Sequence, residues 1–258
     1  MNMKRVISIL IIFITATASS QDQLKIDSLN IVIKFTITTN TFPESWNESP
    51  INATAIPLDS IEKQRSIDII YKALKKYPAA VIQENLKTIY IFKSIAFYGQ
   101  EYGGTNSVDA VYMANSGVVN GYSNYYIEKS FHHEFSSILF RNYPHYFKEN
   151  KWKRTNKLQY GNGGVQALID GEVGQTIDSI YNANGFLHQY AMSDIENDFN
   201  SFAENLFVPT ASFSEAVQLF PRLNKKLEII IAFYRRVDAT FSKKYFDELK
   251  RNYLENNF

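Results

Sequence analysis

The chain has 258 residues, no cysteine and a formal net charge of +1, from 27 basic and 26 acidic side chains. Its length and 45% hydrophobic content suit one folded domain. The missing cysteines exclude disulfide staples, thiolate metal sites and thiol nucleophiles. Near-neutral charge argues against a nucleic-acid partner, and the cluster Lys151 to Arg154 reads as a solvated loop.

Residues 1–20, MNMKRVISILIIFITATASS, have the order of a secretory signal peptide. Lys4 and Arg5 form the basic part, Val6 to Ile14 the apolar run, and Ala16, Ala18 and Ser20 the small residues near a cleavage point. This predicts a secreted or periplasmic protein with residues 21–258 as one domain. The run is too short to span a bilayer, so no membrane span is expected. Removing residues 1–20 turns the charge from +1 to −1. Asn47-Glu48-Ser49 and Asn52-Ala53-Thr54 match glycosylation acceptors, a pattern common by chance.

IVIKFTI, starting at Ile31, is extended, and a polar, proline-containing loop follows as far as Pro57. A helix is predicted from about Asp59 to Lys76, because Ile61, Ile67, Ile70, Tyr71 and Leu74 recur at helical spacing before Pro78. TIYIFKSIAFY (88–98) reads as a strand, Gly103-Gly104 as its punctuation, and VDAVYM (108–113) as a second strand at the rim of the site. A helix from about Tyr122 to Asn142 carries His132, His133 and Glu134. The glycine-rich GNGGVQALIDGEVG reads as a loop. Residues 185–208 turn helical towards their end, and from Phe213 the pattern is helical, with aromatic residues such as Phe233, Tyr234 and Phe241 as core stripes. Strands early and helices late predict an α+β fold.

The chemistry gathers at FHHEFSSILF, residues 131–140. Two histidines four apart on a helix can point at one ion, and a glutamate beside the first can take a proton from metal-bound water. Here His133-Glu134 supplies the first half, but four residues on stands Ser137, a poor zinc ligand. His132 lies about 100° around the helix and does not replace it.

Downstream, NDFNSFAENLF (197–207) contains Phe202-Ala203-Glu204, 71 residues after His133. With HHEF (132–135), this resembles the zinc-binding metallopeptidases of secreted bacterial proteins, of the gluzincin class. Their relatives include the catalytic domain of anthrax lethal factor. The resemblance covers roughly residues 57–250. It implies a zincin-like domain with a small twisted sheet, an active-site helix and a helical C-terminal part. It also implies zinc held by His133 and Glu204, with Glu134 as general base. GFLHQYAM (185–192) resembles the segment before the third ligand, which makes Tyr190 a candidate at the oxyanion. The chain departs from the pattern at Ser137, where the family has its second histidine. His188, 16 residues before Glu204, is a candidate replacement ligand. His145, past Pro144, reads as a locally bonded histidine.

Three readings follow. The first is a zinc peptidase with a replacement ligand, acting on a peptide or protein substrate. The second is a catalytically inactive peptidase-like module that binds a peptide or protein. The third is a secreted interaction protein in which HHE is accidental. Convergence of His133, Glu134 and Glu204 in space separates the third from the others.

Overall fold

The computed structural model describes residues 22–255, so the expected signal peptide lies outside the described residues. The architecture is α+β. A mixed sheet is built around one long strand, and helices cover one of its faces and form the C-terminal part.

The sheet runs β1 (Gln23–Ile26), β2 (Ile31–Lys34), β4 (Thr88–Phe97), β7 (Ala110–Ala114), β6 (Gly104–Asn106) in spatial order. β3 (Thr54–Pro57) and β5 (Gln100–Tyr102) also pair with β4. The first half of β4 is parallel to β2 and β7, and its second half is antiparallel to β3 and β5. Side chains alternate between the faces. Ile89, Ile91, Val111 and Met113 join the main core under the helices. Tyr90, Phe92 and Tyr112 point the other way, into a smaller core capped by Phe42 and Trp46.

The expected strand at 88–98 is β4. Two other expectations need correction. The loop predicted up to Pro57 contains β3, an edge strand, where a proline costs no ladder bond on its outer side. VDAVYM does not form the rim: its core is β7, paired on both sides by β4 and β6. The edge is β6, whose Gly-Thr-Asn sequence carries no strand pattern.

The predicted helix at 59–76 is a short 3-10 turn followed by α1 (Lys63–Leu74). α2 (Ala79–Asn85) starts directly after Pro78. α3 (Asn124–Asn142) is the expected histidine helix, capped by Ser123, whose hydroxyl accepts from the Tyr126 amide. It stops one residue before Tyr143-Pro144, as a following proline requires. The glycine-rich segment 161–174, expected as a loop, contains one short helix, α5 (Gly164–Ile169), while α4 (Glu149–Lys153) precedes it and α6 (Ser179–Asn182) follows it. α7 (Ile195–Phe207), α8 (Ala211–Leu219), α9 (Pro221–Val237) and α10 (Lys243–Glu255) follow. α7 is the central helix: every residue from Asp198 to Phe207 is buried. Among the described residues no helix is long and apolar enough to cross a membrane.

Candidate functional site

α3 and α7 pack against each other in opposite directions, and their facing stripes are polar. Steps of four along α3, at Lys129, His133, Ser137 and Arg141, share one side of the helix. They meet steps of four taken backwards along α7, at Glu204, Asn200 and Glu196. Lys129 Nζ lies 2.8 Å from Glu204 Oε1, and His133 Nδ1 lies 2.9 Å from Glu204 Oε2. One turn on, the Asn200 amide donates to Ser137 Oγ at 2.7 Å, while Ser136 Oγ donates to Asn200 Oδ1 at 2.5 Å. Arg141 pairs with Glu196 at 3.2 Å.

Above this ladder opens a cleft of about 350 Å³, lined by Gly103 and Gly104 on the sheet side, and by Lys129, His133, Glu134, Tyr190 and Glu204. Gly104 lets the sheet edge approach Glu134: a Cβ there would stand 2.9 Å from Glu134 Oε1. Asn106 of β6 donates to Glu134 Oε2 at 2.6 Å, and its own oxygen accepts from Arg141 at 2.5 Å. Glu134 is thereby tied to the edge strand. Tyr190 faces the cleft, its ring roughly parallel to that of His133 with centroids 6.5 Å apart.

The charges follow from burial and pairing. Burial raises the Glu204 carboxyl, but Lys129 and His133 overcome it and hold the group down at about 2. Burial would lower the His133 imidazole, but the bond to Glu204 and the charges of Glu134 and Glu204 lift it to about 9. Burial raises Glu134, opposed by His133 and Asn106. Burial also raises the Tyr190 phenol, helped by Glu134 and Asp194, so it stays a neutral donor.

The structure therefore brings His133, Glu134, Glu204 and Tyr190 together. His188 is buried outside the cleft lining, yet near enough to Glu204, Lys129 and His133 for their charges to act on it. Its Nδ1 accepts from the Ala191 amide at 3.2 Å and its Nε2 has no hydrogen-bond partner among the described residues. Burial lowers its pKa to about 4. His132 is also buried, with Nδ1 2.8 Å from the Tyr77 hydroxyl on the side of α3 away from the cleft. Four residues of the site went unread in the sequence: Lys129, Asn200, Asn106 and Arg141. Lys129 lies four before His133 and Asn200 four before Glu204, so helical spacing marked both.

The donor set does not fit a zinc ion of the gluzincin kind. His133 and Glu204 are bonded to each other, and an ammonium lies against Glu204 where a metal would supply the positive charge. The second-histidine position holds a hydroxyl engaged by Asn200. Among the described residues no group of three or more His, Asp or Glu side chains is placed to hold a metal ion.

Neither the family models nor the curated proteins give a match to this chain. Among solved structures, the chain is similar to the crystal structure of a putative zinc-binding metallo-peptidase from Bacteroides caccae. The TM-score is 0.54 at 16% identity, with 88% of each chain covered. The likeness establishes a shared α+β fold.

Proposed function

We propose that the protein is a metallopeptidase-fold binding module that holds an extended peptide or protein segment in its cleft without hydrolysing it. The observation that carries this reading is the Lys129 ammonium, 2.8 Å from Glu204. It supplies, from within the chain, the charge that a metal would bring. The bond between Asn200 and Ser137 supports it, because it fills the second-ligand position with a satisfied polar pair. The cleft remains open beside β6, which is paired on one side only. An edge strand there can add a peptide strand by backbone hydrogen bonds. Tyr190, Lys129 and Glu134 would then select the side chains.

One atom favours a second reading, a zinc-dependent peptidase: His188 Nε2 is buried without a hydrogen-bond partner among the described residues. Zinc titration of the purified chain by calorimetry, beside His133→Ala and with a quenched-fluorescent peptide library, decides between them. The binding module takes up no stoichiometric zinc and cleaves nothing, yet binds peptides of the library, less tightly when Tyr190 is changed to Ala. Stoichiometric zinc that is lost in His133→Ala, with cleavage abolished in Glu134→Gln, would replace this reading with the second.

A further inference from the structure

A second cavity, sharing no lining residue with the cleft, lies between α9 and the segment around α4. Its volume is about 1080 Å³ against about 350 Å³ for the cleft. One wall carries Lys148, Lys151, Arg154 and Lys157. The other, on α9, carries Arg222, Lys225 and Arg236. Against these cations stands one carboxylate, Glu228. In a chain with 27 basic and 26 acidic side chains, this is a strong local segregation of charge. None of these basic side chains is ion-paired to a carboxylate among the described residues. Arg222 is instead braced across the groove by donating to the Thr155 carbonyl at 2.6 Å.

The groove face of α9 is ordered. Arg222, Lys225, Ile229, Ala232 and Arg236 follow steps of three and four, one stripe of a helix. The inward stripe, Leu223, Lys226, Ile230 and Phe233, is buried in the core. The groove stripe places cations at its ends and aliphatic side chains in its middle, and Tyr146 and Phe220 add to that apolar floor.

We propose that this groove binds an acidic peptide segment of a partner protein, its carboxylates on the two basic walls and its apolar side chains on the floor. The concave shape argues for a chain rather than a lipid surface, since a flat bilayer does not reach recessed apolar groups. Charge complementarity supplies steering and register, and the floor supplies the anchors. The site is independent of the cleft and of any metal.

Fluorescence anisotropy on the purified chain tests it, with a labelled peptide alternating Glu with Leu and Phe. The same peptide with Gln for every Glu, heparin, and vesicles of phosphatidylglycerol are run in parallel. The acidic peptide is expected to bind, more weakly as salt rises, and the Gln peptide to bind at least about tenfold less well. Lys151→Glu with Arg154→Glu, and separately Lys225→Glu, change exposed side chains and should weaken the acidic peptide by about tenfold or more with an unchanged circular dichroism spectrum. Ile229→Ser should weaken it while leaving the salt dependence as it was. Equal binding of the Gln peptide would overturn the proposal, as would charge-reversed variants that bind like the wild type. Tighter binding of heparin or vesicles, indifferent to Ile229→Ser, would overturn it in favour of a nonspecific polyanion surface.

Discussion

Glu204 is 6% exposed and lies between two cations, and that placement sets the charge of the whole cluster. A buried carboxylate needs partners to stay ionised, and Lys129 and His133 are those partners. The His133 pKa is raised from 6.5 to about 9, so its pH-dependent contribution to stability is complete below 6.5 and lost as pH rises through 9. That of Glu204 is lowered from 4.5 to about 2, so its contribution is complete above 4.5 and lost as pH falls through 2. The pair therefore stabilises most between these two ordinary values. NMR titration should find the His133 imidazole still protonated at pH 8 in the wild type, and its midpoint should fall sharply in Glu204→Gln. A wild-type midpoint at or below the ordinary histidine value would mean that the Glu204 bond does not govern His133. The same proton competes with zinc, because a metal requires the neutral imidazole.

At the α3–α7 seam Ser137, four residues after His133, is engaged by Asn200. A histidine at 137 would need the space and the hydrogen-bonding role that Asn200 now fills. Ser137→His alone is therefore expected to leave zinc affinity almost unchanged. Adding Lys129→Met and Asn200→Gly should raise it by at least about 10–100-fold, the range that even supporting groups around a metal command. Calorimetry with zinc measures both. If the single change restores affinity, Asn200 yields easily and the seam is no barrier. Asn200→Ala by itself leaves the buried Ser137 hydroxyl without its donor and should cost about 1–3 kcal/mol in urea unfolding.

Much of this seam was legible. Helical spacing placed α3, and the paired motifs pointed to His133, Glu134 and Glu204 as neighbours. Lys129 was equally accessible at four residues before His133, but a search for ligands passes over an ammonium. The pairing of Ser137 with Asn200 was not legible, because it depends on the register of two helices more than 60 residues apart in sequence. Nor was β6, three residues long and stabilised by its pairing with β7 rather than by any propensity of its own. The basic groove shows the same limit: Lys151 to Arg154 reads as a solvated loop until α9 brings Arg222 and Lys225 opposite it.

At the scale of the whole molecule, α9 joins the groove to the core. On its inward face Lys226 is fully buried, with Nζ 2.5 Å from Asp198 Oδ2 on α7. Asp198 also accepts from Trp152 Nε1 at 2.7 Å and from the Tyr160 hydroxyl at 2.6 Å, while Lys226 donates to the Gly185 carbonyl. One ion pair thus ties α4, α7, α9 and the segment before Tyr190 to a single point. Burial pushes the lysine down, to about 8, and the Asp198 carboxyl up, as desolvation of both charges requires. Such a pair adds little over an apolar replacement, but breaking it from one side is costly. Lys226→Ala leaves Asp198 charged and buried, and should cost about 3–5 kcal/mol, a fall in Tm of roughly 6–20 °C. Lys226→Met with Asp198→Asn removes both charges at similar volume and keeps an acceptor for Trp152 and Tyr160. It should recover most of that loss in calorimetric melting. A double variant no more stable than Lys226→Ala would show that lost packing at the α7–α9 junction, rather than a stranded charge, sets the cost.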